Sequence, residues 1–264
     1  MKIKYTVSLL LFILCCIESE AQFAPPVKSP EVTPDGIIFR LKAPLAQKVT
    51  VNIEGVSEET MVKDDQGMWT VTKKLEPDMY EYAFVIDGLS VNDPSNANVS
   101  PAYMGINQSM VQVHGPSSLS WEIKDGPQGT VNHHFYKSSL IGDQRDYYVY
   151  TPPNYDRNRK EPYPVLFLLH GIRGNALSWT KSGAANVILD NLINEGKAKP
   201  MIMVNTLGYG DPTNMGNGES FDKFVQSILK EVIPQLEKTY NVSKSKEQRA
   251  IAGLSMGGAQ SVYA

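Results

Sequence analysis

Cysteine is nearly missing from this chain: its 264 residues hold two, Cys15 and Cys16, side by side near the N-terminus. Everything after them lacks a thiol, which excludes disulfide staples, a cysteine nucleophile and thiolate-held zinc. An excess of basic charge is missing too. Lys and Arg number 25 against 28 Asp and Glu, so the electrostatic footprint of a nucleic-acid partner is absent. Long apolar runs are short in supply: Val7–Ile17 falls below the roughly 18–20 residues of a spanning helix, and no later segment comes closer, so no membrane span is expected. Histidine occurs four times, at His114, His133, His134 and His170, and neither histidine nor an acidic residue follows Ser255. No metal site and no cofactor is expected.

What is present begins with a leader. Met1–Lys4 is basic, Val7–Ile17 is apolar, and Ser19-Glu20-Ala21 offers small residues for a signal peptidase, so residues 1–21 read as a cleaved secretory signal of a secreted or periplasmic protein. Gln22–Pro30 is proline-rich and extended. The tripeptides starting at Asn98, Asn107 and Asn241 are formal glycosylation sequons, relevant only in a eukaryotic secretory route.

From there the hydrophobic period is two. Phe39 and Leu41, then Val49, Val51 and Ile53, then Trp69 and Val71, then Tyr80, Tyr82, Phe84 and Ile86 alternate with polar or smaller residues, the mark of half-buried strands. Pro34-Asp35-Gly36, Asp64-Asp65-Gln66-Gly67 and Asp87-Gly88 separate them as turns. The expectation is an all-β, immunoglobulin-like sandwich within residues 22–115. Phe39, Ala43-Pro44, Gly67-Met68-Trp69, Tyr80-Tyr82-Phe84, Val85-Asp87-Gly88 and Asp93-Pro94 resemble the early-set module of the family 48 carbohydrate-binding domains. That resemblance implies a sugar-binding or packing module. Trp69 suits either sugar stacking or the core, and its place in an alternating strand favours the core.

Residues 116–130 read as a linker, with Gly115-Pro116-Ser117-Ser118 and Asp125-Gly126-Pro127 as punctuation and Trp121 as a buried anchor. Residues 131–264 alternate strand and helix signals. Asp146–Tyr150, Val165–Leu169, Met201–Val204 and Ala250–Ala252 are expected strands, the last three parallel. A helix is expected over Phe221–Tyr240, with Ser220 as its N-cap and Pro234 kinking or breaking its later part. Leu207–Gly218 reads as a long loop above the site.

The chemistry concentrates in Gly253-Leu254-Ser255-Met256-Gly257. An apolar strand runs into it and a helix runs out, placing Ser255 on a sharp strand-to-helix turn that only small neighbours tolerate. Such a turn presents the hydroxyl as a nucleophile and aims the Met256 N–H at a developing oxyanion. The apolar run Tyr163–Leu169 ends in His170-Gly171-Ile172-Arg173-Gly174, a turn able to supply a second donor, assigned to the Ile172 N–H.

These blocks, together with Tyr147–Pro153, Ile188–Ile193 and Lys199–Ile202, resemble the esterase D-related α/β-hydrolases, and within them the bacterial feruloyl esterases of carbohydrate esterase family 1. The resemblance covers roughly residues 130–264. It implies an α/β-hydrolase domain, a Ser-His-Asp triad built on Ser255, and an ester-bearing polysaccharide or oligosaccharide such as feruloylated xylan as substrate. The acid and histidine of that triad belong after the nucleophile and are absent from this chain. The expectation is therefore an incomplete α/β-hydrolase domain, short of its usual length by roughly 100 residues, inactive as it stands and exposing an apolar sheet edge at the strand that ends in Gly253. His170 is expected to support the turn instead of acting as a base. Acyl transfer to a sugar, and glycan binding with a vestigial esterase half, are the alternative functions.

Overall fold

A computed structural model describes residues 26–105, 107–211 and 218–264. The leader expected at 1–21 and half of the loop expected at Leu207–Gly218, residues 212–217, lie outside the described residues.

The first half is all strand: β1 (Glu31–Thr33), β2 (Gly36–Lys42), β3 (Val49–Ile53), β4 (Glu59–Thr60), β5 (Val62–Lys63), β6 (Met68–Lys73), β7 (Asp78–Ile86), β8 (Leu89–Val91) and β9 (Ser109–Val113). They form two antiparallel sheets, β1-β2-β6-β5 and β4-β3-β7-β8, with β9 also pairing with β7. The alternating residues face inward as their period requires. Ile37, Phe39, Leu41, Val51, Ile53, Tyr82 and Phe84 are buried in one cluster, each large side chain contributing about 1.5–3 kcal/mol of transfer free energy. Trp69 belongs to that core, and its indole N–H donates to the Ala43 carbonyl at 2.9 Å. Asp87-Gly88 turns β7 into β8 with both residues at positive φ, and the Asp87 carboxylate accepts the N–H groups of Gln47 and Lys48.

The second half contains β10 (Thr130–Lys137), β11 (Gln144–Thr151), β12 (Val165–Leu169), α1 (Ser178–Lys181), α2 (Ala185–Asn194), β13 (Ile202–Thr206), α3 (Gly218–Ser227), α4 (Ile233–Thr239), β14 (Arg249–Gly253) and α5 (Met256–Tyr263). Its sheet order is β10-β11-β13-β12-β14. β12 is parallel to both β13 and β14, while β10 and β11 are antiparallel. The buried run Val165, Phe167, Leu169 packs with Ile202, Val204, Phe224, Ile228 and Leu236. β14 forms an edge of the described sheet, with Ala250 and Ala252 exposed.

Two expectations need correction, those for Ser220 and Trp121. The helix expected from Phe221 with Ser220 as its cap begins at Gly218, so Ser220 lies inside it, buried, its hydroxyl accepting the Asp211 N–H at 3.0 Å. The interruption expected at Pro234 is present: a π-turn at Ile228–Val232 separates α3 from α4 and leaves Pro234 in the first turn of α4. Trp121 is half-buried, its indole nitrogen enclosed without a partner. The linker segment is tied to α2. The Asn191 side-chain amide donates to the carbonyls of Ser120 and Glu122, at 2.7 and 2.8 Å.

Candidate active site

Ser255 sits between β14 and α5 with φ 51° and ψ −111°. A non-glycine residue there carries about 1–3 kcal/mol of backbone strain. Two glycines leave room for it. A β-carbon at Gly253 would lie 2.4 Å from the Gly257 carbonyl carbon, and one at Gly257 would lie 2.6 Å from the Leu169 oxygen and 2.7 Å from the His170 oxygen. The elbow therefore rests directly on the end of β12, where Leu254 N–H donates to Leu169 O at 3.1 Å and the Trp179 indole donates to the same oxygen at 2.8 Å. Ser255 and Leu254 are exposed.

The turn after β12 comes alongside. A β-carbon at Gly171 would lie 3.6 Å from the Ser255 Cβ, so the structure brings Ser255 and the His170–Gly174 turn together. Neither the Ile172 N–H nor the Met256 N–H donates a hydrogen bond among the described residues, and Met256 opens α5 at its dipole-positive end.

His170 is buried and bonded at both ring nitrogens. Nδ1 donates to the Gly171 carbonyl at 2.7 Å, which leaves Nε2 to accept the Gly208 N–H at 2.9 Å. Burial pushes its pKa below the ordinary 6.5, opposed by the Gly171 carbonyl and reinforced by the nearby Arg145 cation. Gly208 is fixed from its other end, its carbonyl accepting from the Gln260 amide at 2.6 Å. The remaining histidines are committed elsewhere: His114 to Glu122, His133 to Asp146 at 2.8 Å, and His134 to the Tyr240 hydroxyl. His134 and His133 hold opposite sides of β10, away from the elbow.

Because His170 is held neutral, the unfolded chain takes up the proton first as pH falls through 6.5. Its stability contribution is full above that pH and declines below it. His134, also shifted down by burial and by His133, acts in the same sense. Urea unfolding of the parent is expected to show lower stability at pH 5.5 than at pH 7.5. His170→Ala is expected to cost about 1–3 kcal/mol at pH 7.5 and to reduce that pH dependence; an undiminished dependence would contradict the assignment.

Beside the turn opens a cleft of about 450 Å³, lined from the first half by Glu54, Glu81 and Ser100, and from the second by Arg173, Trp179 and Leu254. Burial raises the Glu81 pKa, helped by Glu54 and opposed by a hydrogen bond from Ser100 and by Arg173.

Residues 138–264 match the putative esterase family. This region and the β half before it together resemble an endo-1,4-beta-xylanase/feruloyl esterase of Xylanibacter ruminicola. That protein is 32% identical over 244 residues, covering 89% of this chain and 34% of the relative. The chain thus spans about one third of the length of that curated relative. Among solved structures, the CE1 ferulic acid esterase of the anaerobic fungus Anaeromyces mucronatus aligns with TM-score 0.50 and 28% identity, covering 56% of this chain and 58% of that one. The enterobactin esterase of Shigella flexneri aligns with TM-score 0.61 and 17% identity, over 86% of this chain and 66% of that one. The last likeness concerns the fold alone, and it extends across both halves.

Sequence reasoning missed several residues around the Ser255 elbow. Gln260 lies one turn after Gly257 on the buried face of α5, a helical spacing that was available to be read. Arg145, fully buried and donating to the Leu207 carbonyl at 2.6 Å, carries no such signal, because an arginine in an alternating strand reads as exposed.

Proposed function

We propose that the chain is the nucleophile-bearing part of a secreted or periplasmic carboxylic ester hydrolase acting on hydroxycinnamoyl esters of plant xylan. The single observation carrying this reading is the strained Ser255 at the β14–α5 elbow, packed against a turn whose Ile172 N–H is unused. Ser255 Oγ attacks the ester carbonyl carbon, and the carbonyl oxygen gathers negative charge facing the Met256 and Ile172 amides. The ester C–O bond then breaks, the serine proton ends on the sugar oxygen so that the sugar leaves as an alcohol, and water cleaves the acyl–Oγ bond to free the acid and restore the hydroxyl. Removing one such donor costs on the order of 10²–10³ in rate where it has been measured.

The likeness to feruloyl esterases supports the substrate class, and the cleft against the β half gives a sugar-bearing ester a place beside the serine. The β half fits an early-set, family 48-like module, with boundaries near residues 22 and 115, ahead of a linker at 116–130 and an α/β-hydrolase region at 131–264. The four histidines are all bonded to other groups, so among the described residues none of them is free to take the proton of the attacking hydroxyl. The triad's histidine and acid are not supplied by these residues.

The reading is tested with the chain extended by the segment that follows the matched region in the Xylanibacter ruminicola relative. Ferulic acid is expected to be released from feruloylated arabinoxylan, and Ser255→Ala is expected to stop it. Release that survives this substitution would sink the proposal.

A further inference from the structure

The oxyanion turn is tied to the first half of the chain by a continuous series of peptide groups. Tyr103, in the segment between β8 and β9, donates its backbone N–H to the Arg173 carbonyl at 2.8 Å. The carbonyl and N–H of one trans peptide point in opposite directions, so holding Arg173 O also aims the Gly174 N–H. That N–H donates to the Gly171 carbonyl at 3.2 Å, which His170 Nδ1 also holds. The same rule makes a fixed Gly171 carbonyl turn the Ile172 N–H the other way.

Side chains brace the same contact. The Tyr103 ring stacks on Tyr209 at 4.6 Å and 22°, and the Tyr209 hydroxyl donates to the Gly174 carbonyl at 3.1 Å. Gly105 lies against the Arg173 guanidinium, close enough that an added β-carbon would sit 3.5 Å from Nη2. Arg173 itself is held at φ 72°, a strained value that persists only where the surroundings impose it.

The geometry points to Tyr103 as a positioning residue: the β half orients the Ile172 N–H of the esterase region through the Tyr103–Arg173 and Tyr103–Tyr209 contacts. This rests on the reading of Ile172 N–H as an oxyanion donor. The β half is then part of the reaction apparatus at a distance, apart from any affinity for sugar.

The test is hydrogen exchange of the 171–174 amides in the 264-residue chain, alongside its residual, oxyanion-assisted hydrolysis of nitrophenyl acetate. Tyr103→Ala is expected to speed exchange about tenfold in this turn and to lower kcat about tenfold at unchanged KM, with the melting temperature held. Both variants keep the backbone N–H to Arg173, so the pair isolates the ring contact: Tyr103→Phe keeps the stack on Tyr209 and is expected to restore both, whereas Tyr103→Pro, which removes the N–H as well, is expected to exceed Tyr103→Ala in both effects. Unchanged exchange in Tyr103→Ala, or Tyr103→Phe behaving like Tyr103→Ala, would overturn the proposal. Ile172→Pro, which deletes the donor itself, separates the two layers. If it leaves residual hydrolysis intact, the oxyanion reading of Ile172 fails, and the exchange results still decide whether Tyr103 holds the turn.

Discussion

Methyl ferulate turnover by the 264-residue chain is expected to lie on the order of 10⁶ below that of the same chain extended with the Xylanibacter ruminicola segment, the cost of losing the histidine in a serine hydrolase. That ratio corresponds to about 8 kcal/mol of barrier. A serine hydroxyl is a weak nucleophile until a base within hydrogen-bond reach takes its proton. Among the described residues His170 spends both ring nitrogens on backbone groups, and the other three are bonded to Glu122, Asp146 and Tyr240. Burial disfavours protonation of His170, so it also offers no cation to the site. What remains without a base is the pair of amides and the cleft. Initial rates at pH 7.5, with Ser255→Ala of the extended chain as baseline, give the ratio. Rates within tenfold of each other would show that a base is already present.

Gly257→Ala is expected to cost about 3 kcal/mol and to lower the melting temperature by about 6–12 °C. The added β-carbon would meet two backbone oxygens, those of Leu169 and His170, at 2.6 and 2.7 Å. Backbone atoms at the end of a central strand have no rotamer to escape into, so α5 must lift from β12. Ser255 would be carried with it, and a misplacement of about 1 Å is enough for a 10²-fold loss of rate in the extended chain. Gly218→Ala, at the exposed first position of α3 with nothing within 4 Å, is the control and is expected to be neutral or slightly stabilising. Calorimetry of both variants checks the pair. Equal melting temperatures would mean that the elbow is looser than its packing implies.

Much of the architecture was legible because its signals are local. Period-two residues such as Phe39 and Leu41, and the turn at Asp87-Gly88, depend on neighbours in sequence and came out as read. The three parallel strands were legible for the same reason, as short apolar runs closed by glycine. Strands made by pairing were not. β4, β5 and β8 span two or three residues and owe their existence to β3, β6 and β7. β10, with His133 and His134 facing opposite ways, presents a polar pattern because it is an edge.

At the site, the glycines around Ser255 and the glycine-rich turn marked the place and predicted the steric crowding that the structure contains. The supporting contacts were hidden by distance along the chain. Gly208 meets His170 across 38 residues, and Tyr103 meets Tyr209 from the other half of the molecule. Ser220 shows the opposite failure, in which a good capping residue type is overridden because tertiary packing lets the helix start earlier.

The central claim is that Ser255 carries the acyl group. It is tested most directly by mass spectrometry of the extended chain, quenched in acid during turnover of a nitrophenyl ester and cut with trypsin after Arg249. The acyl group is expected on Ser255, in the peptide that starts at Ala250. An acyl group on another residue, or an unmodified Ser255 peptide throughout steady turnover, would contradict it.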